Sequence, residues 1–116
     1  MYWFIILILI YIIYKLSNKT VYVWDWAWIH KANPYIIIKP THINQIIHVI
    51  TNSYLPICVA GTKYSHGGQT MLEKSIYIDM CFYNKIINLD QENKWIRVQA
   101  GCTWKQIQIY LDEFDL

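Results

Sequence analysis

Pro56-Ile57-Cys58-Val59-Ala60-Gly61-Thr62-Lys63-Tyr64-Ser65-His66-Gly67-Gly68-Gln69-Thr70 is the stretch on which the reading of this chain turns. It opens as an apolar run, Ile57 to Ala60, of the length of a buried strand. It then breaks into Gly, Thr, Ser, His and Gln. Three of the chain's four glycines fall here, at Gly61, Gly67 and Gly68. A loop of this kind can turn its backbone N–H groups inward, because glycine accepts positive φ without a steric penalty. Such a concave row of amides binds anions, phosphates above all. Ser65 and Thr70 can add hydroxyl donors, and Lys63 a charge. Alone, the pattern is weak, since a strand followed by Gly-Gly is also common in plain hairpins and loops. It is neither a Walker loop, lacking Gly-Lys-Ser/Thr, nor Gly-x-Gly-x-x-Gly.

The upstream neighbours give the loop a context. Tyr35-Ile36-Ile37-Ile38 reads as a strand, stopped by Lys39-Pro40. Thr41 is the predicted N-cap of a helix. Ile43, Ile46, Ile47 and Ile50 fall at i, i+3, i+4 and i+7, an amphipathic stripe, and Asn52-Ser53 ends it. Strand, helix and strand make a βαβ unit, so both strands are expected to be parallel, with a right-handed crossover. The glycine loop then lies at the carboxyl end of a strand, where α/β sheets place their ligands.

Downstream, Ser75 to Met80 reads as a strand with Asp79 near its end. Met80 to Asp90, with Phe82, Ile86, Ile87 and Leu89, reads as an irregular strand. Gln91 to Lys94 is a turn, and Trp95 to Ala100 alternates as a strand with one buried face. Gly101 breaks it. Thr103-Trp104-Lys105-Gln106 fits a capping box, opening a last helix with Ile107, Tyr110, Leu111 and Phe114 on its apolar side.

The N-terminus differs in kind. Residues 2–14 carry no charged side chain. Met1 to Leu16 as a helix rises about 24 Å, against a hydrocarbon core of about 30 Å. Tyr2, Trp3, Tyr11 and Tyr14 suit interfacial belts. The basic n-region and small-x-small site of a cleaved signal are missing. The favoured reading of residues 1–16 is an uncleaved, single-pass anchor in a lipid bilayer; the alternative is an apolar core segment. Lys15 and Lys19 lean toward a cytoplasmic body. Residues 17–33 read as a Trp-rich linker: Trp24, Trp26 and Trp28 alternate with Asp25 and Ala27, an extended segment with one aromatic face, set to pack on the domain or to meet a membrane surface.

Composition narrows the function classes. At 116 residues, with 55% hydrophobic side chains and a net charge of +2, there is one core, no second domain and no basic stripe for nucleic acid. Three widely spaced cysteines without Cys-x-x-Cys argue against a disulfide framework or zinc site. His30, His42, His48 and His66 have no metal-ligand spacing. No nucleophile–base pair or paired carboxylates are legible.

Taken together, these segments resemble the start of the PCMH-type FAD-binding domain of the vanillyl-alcohol oxidase and p-cresol methylhydroxylase superfamily. The resemblance runs from about Trp24 to Leu116. It rests on order and spacing: strand, Pro and helix at Ile36 to Ile50, then Ala-Gly-Thr-Lys-Tyr-Ser-His-Gly-Gly-Gln-Thr. Ile-Tyr-Ile-Asp-Met at 76–80, Asn84 to Leu89 and Val-Gln-Ala-Gly-Cys-Thr-Trp at 98–104 complete it.

Together with the N-terminal membrane helix read above, the resemblance implies an α+β fold in which that helix is followed by a βαβ unit and further strands, with residues 34–116 as the N-terminal part of the FAD domain. It implies an FAD-linked oxidoreductase acting on an alcohol or sugar-type carbon. The FAD pyrophosphate would lie against Ala60, Gly61, Thr62, Lys63, Tyr64 and Ser65, with Gly68 and Gln69 next. Many members carry a flavin-linked histidine where this chain has Tyr64, so FAD is expected to bind non-covalently; His66 would replace it only if the loop shifted. The family's remaining FAD-domain strands and its substrate domain are not represented. The expectation is therefore a truncated piece, inactive alone, that leaves an apolar patch exposed and room for a separate completing chain. The alternative is a membrane-tethered nucleotide-binding or remnant module without chemistry.

Overall fold

Alternation along one short strand divides the core in two. Side chains of successive strand residues point to opposite faces. In β5 (Ile76–Asp79), Ile76 and Ile78 go one way and pack with Val49, while Tyr77 goes the other and packs with Val23, Ala32, Cys58 and Ala60. The computed structural model describes residues 2–17, 20–65 and 67–116. Lys19, part of the expected 17–33 linker, and His66 lie outside the described residues.

Three parallel strands carry this core: β3 (Ile36–Ile38), β4 (Ile57–Ala60) and β5. Ile36 to Ile38 pair with Ile76 to Ile78, and Ile57 to Ala60 pair with Ile76 to Asp79. The strands of the expected βαβ unit are parallel, but they do not touch. β5 enters between them, because residues 61–75 are long enough to return the chain to the start of the sheet.

Helix α2 (Ile43–Asn52) covers one face. Its N-cap is His42, not the predicted Thr41. The physical reason is Gln45, whose Oε1 accepts from the N–H groups of Thr41 (2.8 Å) and His42 (3.0 Å). The isoleucine stripe is only partly absorbed. Val49 is buried, Ile46 half-buried, and Ile43, Ile47 and Ile50 stay exposed. Val59, on the same sheet face, is exposed too.

The other face is covered by a hairpin built from the Trp-rich stretch. Strands β1 (Val23–Trp24) and β2 (Lys31–Ala32) pair antiparallel, and Val23 and Ala32 join Tyr77 in the core. After β5, Asp79 caps a 3-10 turn (Met80–Phe82) by accepting from the Cys81 N–H at 3.1 Å. The irregular strand expected over 80–90 is therefore that turn followed by β6 (Ile86–Asp90), which pairs antiparallel with β7 (Trp95–Val98). Helix α3 (Trp104–Asp112) starts at the expected capping box: Thr103 Oγ1 accepts from Gln106 N–H at 3.2 Å, and Gln106 Oε1 accepts from Thr103 N–H at 2.8 Å.

The predicted membrane span finds no support in the structure. Helix α1 (Tyr2–Ser17) is 16 residues, about 24 Å of rise. Among the described residues no helix is long and apolar enough to cross a membrane. From Trp3 to Tyr14 its apolar side chains are 44–80% exposed.

Candidate functional site

The loop leaving β4 sits at the carboxyl edge of the three-stranded sheet. Ala60 is buried and ends the strand. At Gly61 an added Cβ would meet nothing within 4 Å, so this glycine keeps a space open rather than relieving a clash. Among the described residues, the N–H groups of Thr62, Lys63 and Tyr64 donate to no protein acceptor. Lys63 holds φ +65°, a left-handed conformation unusual for lysine. A left-handed residue in such a run turns consecutive amides toward one concavity. Gly68, at φ +71°, turns the far side of the loop. The Gly67 N–H is occupied by its neighbour Gln69 Oε1 at 3.0 Å.

The Trp-rich hairpin holds this loop at three points. Trp26 N–H donates to the Lys63 carbonyl at 3.0 Å. The Trp26 ring stacks on Tyr64, centroids 5.1 Å apart. The His30 ring lies so close to Gly68 that a Cβ there would come within 2.9 Å of it. The hairpin in turn is organised by Asp25, only 2% exposed. Its carboxylate accepts from the N–H groups of Ile29 (2.9 Å) and His30 (3.3 Å), and His30 Nδ1 lies 2.8 Å from Oδ2. Burial pushes its pKa up, but the His30 contact and the two amides outweigh this, so the carboxyl sits below its ordinary value.

Two cavities flank the loop and meet at Thr62. The first, about 770 Å³, lies between the hairpin and the strand ends, with Trp24, Trp28, Lys39, Lys63, Tyr77 and Asp79 in its wall. The second, about 540 Å³, lies between Gly61, Thr62 and Tyr64 on one side and the start of α3, Gly101 to Lys105, on the other. A helix start favours negative charge. Tyr77 is 0% exposed, and its hydroxyl has no partner, as is also true of Thr70 Oγ1. An unsatisfied buried hydroxyl costs about 1–3 kcal/mol. Burial, then the nearby Asp79, raises the Tyr77 pKa far above its ordinary value, so the phenol keeps its proton.

Of the residues singled out in the sequence, Gly61, Thr62, Lys63 and Tyr64 line these cavities. Ser65, Gly68 and Gln69 line neither, and Gly68 and Gln69 shape the loop instead. Sequence reading missed Asp25, His30, Tyr77 and Lys39. Only the alternation of tryptophans around Asp25 hinted at the hairpin. Among the described residues no group of His, Cys, Asp and Glu is arranged to hold a metal.

A family model described as FAD binding domain matches residues 34–116. No curated protein matches the chain.

Proposed function

We propose, because the chain belongs to the FAD-binding domain family of FAD-linked oxidoreductases, that the turn at residues 60–69 holds the diphosphate of a non-covalently bound FAD. The observation that carries this is the trio of unpaired N–H groups at Thr62, Lys63 and Tyr64 beside the open space at Gly61. Anions bind such a row of amides through short charge-assisted hydrogen bonds. The Lys63 ammonium adds charge, and the start of α3 adds a partial positive charge across the second cavity. Tyr64 offers a phenol, not an imidazole, where relatives are linked to flavin, which supports reversible binding.

Bound FAD supplies hydride acceptance, here from an alcohol or sugar-type carbon; the chain's own residues bind and orient it. Trp104 is 85% and Tyr64 57% exposed. A flavin beside them keeps one side in water, and a further surface, in the same protein or in a partner chain, is needed to exclude it. Alone, this polypeptide binds FAD weakly and oxidises nothing. The test is titration of the full chain with FAD and with inorganic pyrophosphate. Competing, millimolar-range binding that Lys63→Glu weakens about tenfold is expected. Substrate-dependent bleaching of flavin by this chain alone contradicts the second half of the reading, and pyrophosphate that fails to compete contradicts the first.

A second reading is favoured by the exposed apolar surface of α1: a nucleotide-holding module that associates with a membrane and performs no chemistry of its own. It needs a bound nucleotide but no covering domain.

A further inference from the structure

We propose that α1 and the tip of the Trp-rich hairpin form one seat for an anionic lipid surface, the helix entering the bilayer without crossing it. The proposal rests on the second reading above and deepens it. It names the charge of the lipid and adds a second contact, in a segment outside the matched 34–116.

Charge is divided along the chain. Residues 1–72 hold five lysines and one acidic residue, Asp25. That carboxylate is 2% exposed and engaged with His30 and two amides. Residues 73–116 hold seven acidic and five basic side chains. The N-terminal part thus shows water lysines and almost no carboxylate. Such asymmetry suits a negatively charged partner. The apolar side chains set between these lysines select lipid over nucleic acid.

The apolar surface has two parts, held close by the chain itself. Residues 2–14 of α1 carry no charged side chain, and the apolar ones from Trp3 to Tyr14 are exposed. Their rise of about 20 Å exceeds one leaflet of about 15 Å but not the full core of about 30 Å. At the end of this run the Lys15 ammonium lies 5.9 Å from the Tyr11 ring. Four residue steps from Ser17 to Val21 hold the hairpin within about 14 Å of the helix end. There the Lys31 ammonium lies over the rings of Tyr22 (4.7 Å) and Trp24 (5.3 Å). A lysine laid on aromatic rings suits the headgroup level, the rings facing the apolar side and the ammonium the phosphates. At the hairpin turn, Trp28 is 71% and Ile29 69% exposed. Trp28 holds φ +59°, a left-handed conformation costly for so bulky a residue. In water its indole gains little beyond a 5.4 Å contact with Trp24. A headgroup layer is the setting tryptophan favours.

The experiment mixes the full chain with vesicles of phosphatidylcholine alone, or of phosphatidylcholine with phosphatidylserine. It reads flotation and the quenching of tryptophan emission by brominated lipid. Binding to the phosphatidylserine vesicles is expected to be about tenfold tighter or more, and to weaken with added salt. Lys31→Glu should remove most of that preference and leave binding to neutral vesicles unchanged. Trp28→Asn, which tolerates the left-handed backbone, and Ile29→Ser should each weaken binding to both vesicles about threefold to tenfold. Both positions are exposed, so thermal unfolding of these variants should match the parent chain. Equal binding to the two vesicles, or hairpin variants that bind as the parent does, overturn the shared seat and leave the second reading standing. Absence of flotation with either vesicle overturns both. Clusters of the full chain that persist beside vesicles without floating assign the surface to a second copy and overturn the lipid seat.

Discussion

Gly101 and Gly61 each follow a strand, and they are glycines for opposite reasons. At Gly101 an added Cβ would lie 1.8 Å from the Met80 carbonyl oxygen and 2.6 Å from that of Tyr83. The Gly101 N–H already donates to Tyr83 at 2.7 Å. Backbone cannot step aside as a side chain can. Gly101→Ala should therefore lower stability by about 3 kcal/mol or more, an overpacking penalty at its upper end. At Gly61 the same methyl meets nothing within 4 Å. Gly61→Ala should leave the melting temperature within a few degrees and weaken nucleotide binding about tenfold, since the methyl would occupy the ligand's space. Thermal unfolding and a binding titration on both variants check the pair. A Gly61→Ala protein that melts much earlier, with affinity intact, would mean the glycine serves the fold.

At the scale of elements, the hairpin formed by β1 and β2 is the part whose role changes most between sequence and structure. It is two residues wide on each side, far below what stands alone in water. The buried Asp25 carboxylate and packing on the sheet hold it. Burial alone would raise that pKa above 3.8, yet the His30 contact and two amides bring it below. The folded form thus binds fewer protons than the unfolded one near pH 4. Its contribution is full above the ordinary value, 3.8, and disappears as pH falls through the depressed one. In acid the hairpin should release Trp26 from Tyr64, read as a red shift in tryptophan emission. Asp25→Asn should lack that step and show the released spectrum at neutral pH. An unchanged acid transition in the variant would assign the step elsewhere.

At the scale of the whole molecule, too much apolar surface faces water. Helix α1 presents it along its length, and Ile43, Ile47, Ile50 and Val59 present it on the α2 side of the sheet. Patches of this kind mark contacts with protein or lipid. The full chain should self-associate without detergent. A variant lacking residues 1–17 should sediment as a smaller species and bind pyrophosphate as before, because the hairpin and the loop both lie outside the segment removed. Undiminished association would place the sticky surface on the α2 face.

Much of this chain was legible without coordinates because it is local. The capping box at Thr103 to Gln106, the strand at Ile57 to Ala60, and the glycine turn after it each depend on residues within a few positions of one another. Motif order along 34–116 was enough for the family. The N-cap of α2 slipped by one residue because Gln45 can serve two neighbouring amides equally well. Other features lay out of reach because they join distant residues. β5 enters between β3 and β4, Asp25 and His30 brace a loop over thirty residues away, and Tyr77 is fully buried beneath the hairpin with its hydroxyl unpartnered. A strand's partner and a side chain's neighbours follow from how faces are buried in three dimensions, and periodicity along a chain carries no record of that choice.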